Sequence, residues 1–294
     1  MFAGFEKEQR QVNGVNISYR IGGSGPPLLL LHGHPQTHVI WHKVAAQLAT
    51  VFTVVAADLL GYGDSDRPPA DAEHLLYSKR EMALDSVELM KSLGFAQFRI
   101  LAHDRGARVA HRLVLDHPHV VQQMVLLDIA PTLSMYAQTD EAFARAYWHW
   151  FFLIRPAPLP ESLIEANPEL YLRSVMGSRS AGLKPFTDQA FAEYLRCLQK
   201  SGSAQGICED YRASASIDLE HDRADIQAGN HLALPLLVLW GAEGTVGRCF
   251  EPLKEWQKVA MDVRGKALPC GHYVAEEVPE LLLEEVQRFF DTPI

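Results

Sequence analysis

Arg99-Ile100-Leu101-Ala102-His103-Asp104-Arg105-Gly106-Ala107-Arg108 runs an apolar strand straight into an aspartate, a glycine and the start of a helix. Strand-to-helix turns of the pattern G-x-S-x-G hold a nucleophile above the edge of a sheet, and the matching five residues are Ala102-His103-Asp104-Arg105-Gly106. Gly106 keeps the small residue that lets the helix pack close to the turn. The nucleophile position carries Asp104, whose carboxylate is ionised at neutral pH and needs no base before it attacks carbon. Attack at a saturated carbon bearing a leaving group would give an ester on Asp104, which an activated water could then cleave at the carboxyl carbon. The competing reading of these five residues is a helix N-cap, a position aspartate favours. The rest of the chain has to decide.

Outward from this turn, strands alternate with helices, the pattern of a mainly parallel sheet covered on both faces. Strands are expected at Asn16–Ile21, Leu28–Leu31, Thr53–Ala57, Arg99–Ala102 and Val121–Leu127, the last ending at Asp128. Trp41, Val44, Ala45 and Leu48 have helical spacing and predict a helix over Val39–Ala49. Ser78 opens another that stops near Gly94, and the helix after Asp104 is expected to reach Asp116. After Pro131 the texture changes to aromatics and charges without strand signals, with helical runs over Asp140–Phe152 and Asp188–Lys200. Residues 131–225 therefore read as a helical cap inserted into a core made of 1–130 and 226–294. Strand character returns at Leu236–Trp240 and Ala267–Leu268, and a final amphipathic helix covers Glu280–Phe290.

Composition narrows the function classes. The chain has 294 residues, 48% of them hydrophobic and 21% charged, enough for one large core with an insertion. A net charge of -9 argues against nucleic acid, yet leaves room for a local positive pocket and a small anionic substrate. Cys197, Cys208, Cys249 and Cys270 lack metal-type spacing and read as free thiols of a reducing compartment. Met1–Arg20 holds no long apolar stretch, so neither a signal peptide nor a membrane span is expected. A cytoplasmic protein is the default.

Cleavage of an ester on Asp104 needs a general base. Gly271-His272 follows a short late strand and is the candidate, although His272 is one of 13 histidines and could simply line a loop. The imidazole in turn needs an acid to fix its tautomer. Trp240-Gly241-Ala242-Glu243-Gly244 has glycine where an aspartate would be expected, so Asp128 takes the role, with Glu243 as runner-up. Arg105 and Arg108, three residues apart on the helix that starts at the nucleophile, share a face. Paired guanidinium groups suit a carboxylate; the alternative for Arg108 is an exposed surface cation, the reading given to Arg112. His32, His34, His38 and His42 cluster in sequence, but Pro35 interrupts their spacing and no carboxylate or cysteine completes a metal site.

His32-Gly33-x-Pro35-Gln36, Gly61-Tyr62-Gly63-x-Ser65-Asp66, His103-Asp104-Arg105-Gly106-x-Arg108, Tyr147-Trp148-His149-Trp150, Asp210-Tyr211-Arg212-Ala213 and Gly271-His272 together resemble the haloacetate dehalogenases, including those that cleave fluoroacetate, within the α/β-hydrolase family. The resemblance spans most of the chain. It implies the α/β-hydrolase fold, with Asp104, Asp128 and His272 as catalytic residues, Arg105 and Arg108 on the substrate carboxylate, and backbone N–H groups of His34 and Arg105 as oxyanion hole. It also implies a halide pocket of His149, Trp150 and Tyr211, each able to present an N–H or O–H donor; without it those aromatics would read as ordinary cap packing. No cofactor and no metal are expected, and a homodimer is a family expectation. Related haloalkane dehalogenases and epoxide hydrolases usually carry tryptophan where Arg105 stands, so Arg105 points to an anionic substrate. An epoxide hydrolase would instead need cap tyrosines, for which Tyr136, Tyr147, Tyr171, Tyr194 and Tyr211 are available. Two departures concern specificity: His34 stands where relatives usually have phenylalanine, and Val175–Ser180 lacks a tryptophan that relatives carry nearby.

Overall fold

The computed structural model describes residues 1–292. Eight strands, β1 (Phe5–Val12), β2 (Val15–Gly22), β3 (Pro27–Leu31), β4 (Thr53–Ala57), β5 (Phe98–His103), β6 (Val121–Leu127), β7 (Leu236–Gly241) and β8 (Val263–Leu268), form one sheet in the order β1-β2-β4-β3-β5-β6-β7-β8. From β4 to β8 every neighbouring pair is parallel, whereas β2 runs antiparallel to both β1 and β4. Leu28–Leu31, Val54–Ala56, Ile100–Ala102 and Met124–Leu127 are fully buried, as strands covered on both faces must be. The helices Lys79–Ser92, Asp104–Asp116 and Pro279–Phe290 supply part of that cover. This is the α/β-hydrolase fold expected from the sequence.

The expected bounds of β4, β6 and the helix Asp104–Asp116 agree with the structure. Three segments differ, each for a local reason. β1 is not among the expected strands, because its side chains are mainly polar or charged and only Val12 is buried; edge strands carry charged residues to block further pairing. It joins β2 through Asn13-Gly14, both at positive φ, the geometry of a two-residue hairpin. Val39–Ala49 is a short 3₁₀ turn, His38–Lys43, capped by the Thr37 side chain, followed by a single α-turn, Ala45–Leu48. The run Asp140–Phe152 is two helices, Glu141–Ala146 and Trp148–Leu153, broken at Tyr147 with φ -113° and ψ 36°.

Between β6 and β7 the described chain is helical, from Thr132–Ala137 to Ile217–Ala228, with no strand. Gly61 and Gly206 set one approach of this segment to the core: a Cβ on Gly206 would lie 2.7 Å from the Gly61 Cα. Helix Ser203–Ser214, which carries Asp210 and Tyr211, is thereby pressed onto the loop after β4. Arg112 corrects the sequence reading. It is not a surface cation but is 3% exposed, pairing with Asp116 of its own helix and with Asp222 and Asp225 of Ile217–Ala228. The four cysteines are unpaired, and no helix among the described residues is long and apolar enough to cross a membrane.

Candidate active site

The turn at Asp104 is strained and crowded. Asp104 sits at φ +46°, a left-handed conformation that costs a non-glycine residue about 1–3 kcal/mol. Two glycines make room for it: a Cβ on Gly33 would fall 2.4 Å from the Asp104 Cβ, and one on Gly106 would fall 2.4 Å from the His32 carbonyl oxygen. The Gly106 N–H donates to that same oxygen at 2.7 Å, tying the helix to the end of β3. The His34 backbone N–H donates to Asp104 Oδ1 at 2.9 Å. Arg105 is the second residue of the helix, so its N–H has no acceptor within the helix. The His34 amide thus points at the carboxylate, and the Arg105 amide is left free of the helix ladder. Burial opposes ionisation of Asp104, but neighbouring positive charge, that of Arg108 and Arg105 included, outweighs it and holds the carboxyl far below the usual range.

His272 and Asp128 meet across two strand ends. Asp128 Oδ2 lies 2.5 Å from His272 Nδ1, and Asp128 Oδ1 accepts the Gly241 N–H at 3.0 Å. The other imidazole nitrogen, Nε2, is 3.9 Å from Asp104 Oδ2. Gly244 explains why Asp128 can serve: a Cβ there would sit 3.1 Å from Asp128 Oδ1, so the missing aspartate of that loop leaves the space this carboxylate occupies. Glu243 is exposed. Two residues beyond the sequence reading fix the histidine loop. Glu277 accepts the N–H groups of Gly271 and Tyr273 at 2.6 and 2.9 Å, gripping the amides on either side of His272. His103, pushed down to about 3 chiefly by burial and hence neutral, donates from Nε2 to the His272 carbonyl oxygen at 2.9 Å. Only the position of Glu277, five residues after His272, hinted at this.

The two arginines play different parts. Arg105 is completely buried and spends Nε and Nη2 on the Asp210 carboxylate at 2.8 and 2.7 Å, with Nη2 also on Ser214 Oγ at 2.6 Å. Lys79 and the Tyr62 hydroxyl share that carboxylate. Nη1 alone is left without a partner. Arg108 pairs with no carboxylate among the described residues. Its fork donates to the Ala130 carbonyl at 3.2 Å and Thr132 Oγ1 at 2.9 Å, its Nε has no partner, and its guanidinium lies 4.8 Å from the Trp150 ring centroid. Burial and the neighbouring Arg105 charge lower its basicity, the mark of a cation short of a counter-ion.

Aromatics of the helical segment between β6 and β7 pack against this pair. The ring of Tyr211 lies 4.1 Å from the Arg105 guanidinium, and its centroid is 6.0 Å from that of His149 and 6.3 Å from that of Trp150. The buried Trp150 Nε1 and Tyr211 hydroxyl have no hydrogen-bond partner. Burial pushes His149 well below its ordinary value, so it is neutral and has one N–H to donate. His34 stacks on it at 5.9 Å and bonds Tyr171 Oη through Nε2 at 3.0 Å. The other clustered histidines go elsewhere: His32 to the Gly33 carbonyl and the Leu59 N–H, His38 to Asp58, and His42 to the Val39 carbonyl. Of the tyrosines considered for an epoxide, Tyr194 is bonded to Glu276 and Tyr171 to His34, while Tyr136 and Tyr211 have unpartnered hydroxyls.

Comparison with known proteins agrees with the fold. Residues 26–274 match the α/β hydrolase fold family. A fluoroacetate dehalogenase from Burkholderia sp is 42% identical over 95% of this chain and 92% of its own length. A soluble epoxide hydrolase from Corynebacterium sp. (strain C12) is 33% identical, covering 96% of each chain. The crystal structure of a candidate α/β hydrolase from Nostoc sp PCC 7120 superposes with a TM-score of 0.97 at 52% identity, covering 100% of both chains.

Proposed function

Because this chain belongs to the α/β-hydrolase fold family, we propose that its carboxylate nucleophile serves the hydrolytic dehalogenation of short 2-haloacids, most simply haloacetate and water to glycolate and halide. The observation that carries the reading is Arg108, a buried guanidinium without a carboxylate partner, one helical turn beyond an ionised nucleophile. The similarity to a fluoroacetate dehalogenase supports it.

In the proposed reaction the substrate carboxylate docks on Arg108 and on the free Nη1 of Arg105, presenting its adjacent carbon to Asp104. Asp104 forms the C–O bond as the carbon–halogen bond breaks, and the electron pair leaves with the halide. His149, Trp150 and Tyr211 donate to that growing charge; fluoride, the smallest and strongest acceptor, gains most. His272, oriented by Asp128, then takes a proton from water as the water attacks the ester carbonyl. The His34 and Arg105 backbone N–H groups hold the resulting oxyanion. Collapse releases glycolate and restores Asp104, and the proton on His272 passes to solvent. Water closes the balance of atoms without a cofactor.

Epoxide hydrolysis is the second reading, favoured by the unpartnered Tyr211 hydroxyl as a proton donor and by the epoxide hydrolase relative. Incubation with fluoroacetate, chloroacetate and a neutral epoxide separates the two. Halide release from the haloacids is the expected result, and diol formation without halide release would overturn the dehalogenase reading.

A further inference from the structure

A third buried guanidinium borders the site, and the mechanism above does not use it. Arg179 follows the cap helix Pro168–Gly177 and is only 9% exposed. Its guanidinium lies 4.4 Å from the Tyr147 ring centroid, and the Tyr147 ring is 6.3 Å from that of His272. The adjacent Ser180 Oγ lies 2.3 Å from where a Cβ on Gly271 would stand, so this turn is pressed against the residue before His272. Arg179 has no carboxylate in ion-pair range among the described residues, and its Nε has no hydrogen-bond partner. Its charge is nonetheless felt at Asp104, His34, His149 and Tyr273. Of these neighbours, the Tyr273 side chain lies close enough to Arg179 to bond it, and the buried His34 Nδ1 has no partner.

A buried guanidinium with an unpartnered N–H and no carboxylate in ion-pair range keeps hydrogen-bonding capacity for an anion. Asp104 is a poor permanent counter-ion, because it loses its charge when it is esterified. The carboxylate next to the reacting carbon is already accounted for by Arg108 and Arg105. What remains is a second negative group on the same small molecule.

We propose that Arg179, with the Tyr273 hydroxyl and His34, forms a second anion subsite, and that the preferred substrate is a 2-halo dicarboxylate of the 2-halosuccinate type. This rests on the dehalogenase reading. The carboxylate next to the halogenated carbon sits on Arg108, the distal one on Arg179. Asp104 displaces the halide from the carbon between them, and hydrolysis of the ester gives the 2-hydroxy dicarboxylate, halide and a proton.

The test compares kcat/KM for halide release from 2-chlorosuccinate, 2-chlorobutyrate, which has a methyl group in place of the distal carboxylate, and chloroacetate. A charge-assisted contact to the distal carboxylate predicts that wild-type enzyme prefers the diacid over 2-chlorobutyrate by about ten- to a hundredfold. Arg179→Gln should erase that ratio mainly through KM for the diacid, and Arg179→Lys should recover part of it. Turnover of chloroacetate with equal or better use of 2-chlorobutyrate than of 2-chlorosuccinate would overturn the subsite alone. Halide release from none of the three would overturn the dehalogenase reading and the subsite with it. The wild-type ratio decides the matter even if the Arg179→Gln protein fails to fold.

Discussion

Replacing Arg108 by methionine should disable capture of the substrate carboxylate while leaving the nucleophile in place. The guanidinium is held by one carbonyl, one hydroxyl and the Met135 sulfur, all neutral acceptors, so no carboxylate claims its hydrogen bonds until an anion arrives. Two charge-assisted hydrogen bonds to a carboxylate at about 1.5–3 kcal/mol each amount to about 3–6 kcal/mol. At 1.36 kcal/mol per tenfold, that is a fall in kcat/KM of roughly 10²- to 10⁴-fold. The thermal midpoint should change little or rise, because a buried cation without a counter-ion is removed and methionine fills most of the volume against Trp150. Steady-state halide release from chloroacetate and a thermal melt measure the two effects. A folded Arg108→Met enzyme that keeps more than about a tenth of its kcat/KM would refute the assignment of Arg108 to the substrate carboxylate.

The acid of the histidine pair can be tested by moving it. Asp128→Asn should slow ester hydrolysis by on the order of 10²–10⁴-fold, by analogy with loss of the orienting acid in other triads. Gly244→Asp alone should lower activity, since its Cβ would stand 3.1 Å from Asp128 Oδ1 and bring like charges together. The double variant should recover part of what Asp128→Asn loses, measured as halide release under saturating substrate. A separate prediction concerns stability. Burial raises Asp85, in the helix Lys79–Ser92, from 3.8 to about 7, against a hydrogen bond from Asn13 that lowers it. The folded state therefore holds a proton that the unfolded chain has lost between about pH 4 and pH 7, and stability falls as pH rises through that window. The penalty is complete above about pH 7, with a ceiling of about 4 kcal/mol at 1.36 kcal/mol per pKa unit. Asp85→Asn should raise the melting temperature at pH 8 and barely alter it at pH 4; an equal effect at both would contradict the assignment.

Local order made much of this legible in the sequence. The turn at Asp104, the late Gly271-His272 and the vacancy at Gly244 are features of a few residues each, and the structure brings all three to one place. Long-range pairing was not legible. Arg105 and Arg108 look alike on one helix face, yet Asp210, 105 residues away, claims most of Arg105 and none of Arg108. Arg112 reads as a surface cation until Asp222 and Asp225 fold over it. Glu277 and His103 act on the backbone around His272, and a backbone partner leaves no pattern in composition. β1 is not legible in the sequence because an exposed edge strand has no reason to alternate cleanly.

The covalent step on Asp104 is the centre of the account, and His272→Asn isolates it. With the base removed, chloroacetate should still be attacked, halide should leave in a single turnover, and the protein should gain the mass of one carboxymethyl group, located by peptide mass spectrometry on Asp104. Halide release without any adduct on Asp104 would contradict the covalent mechanism.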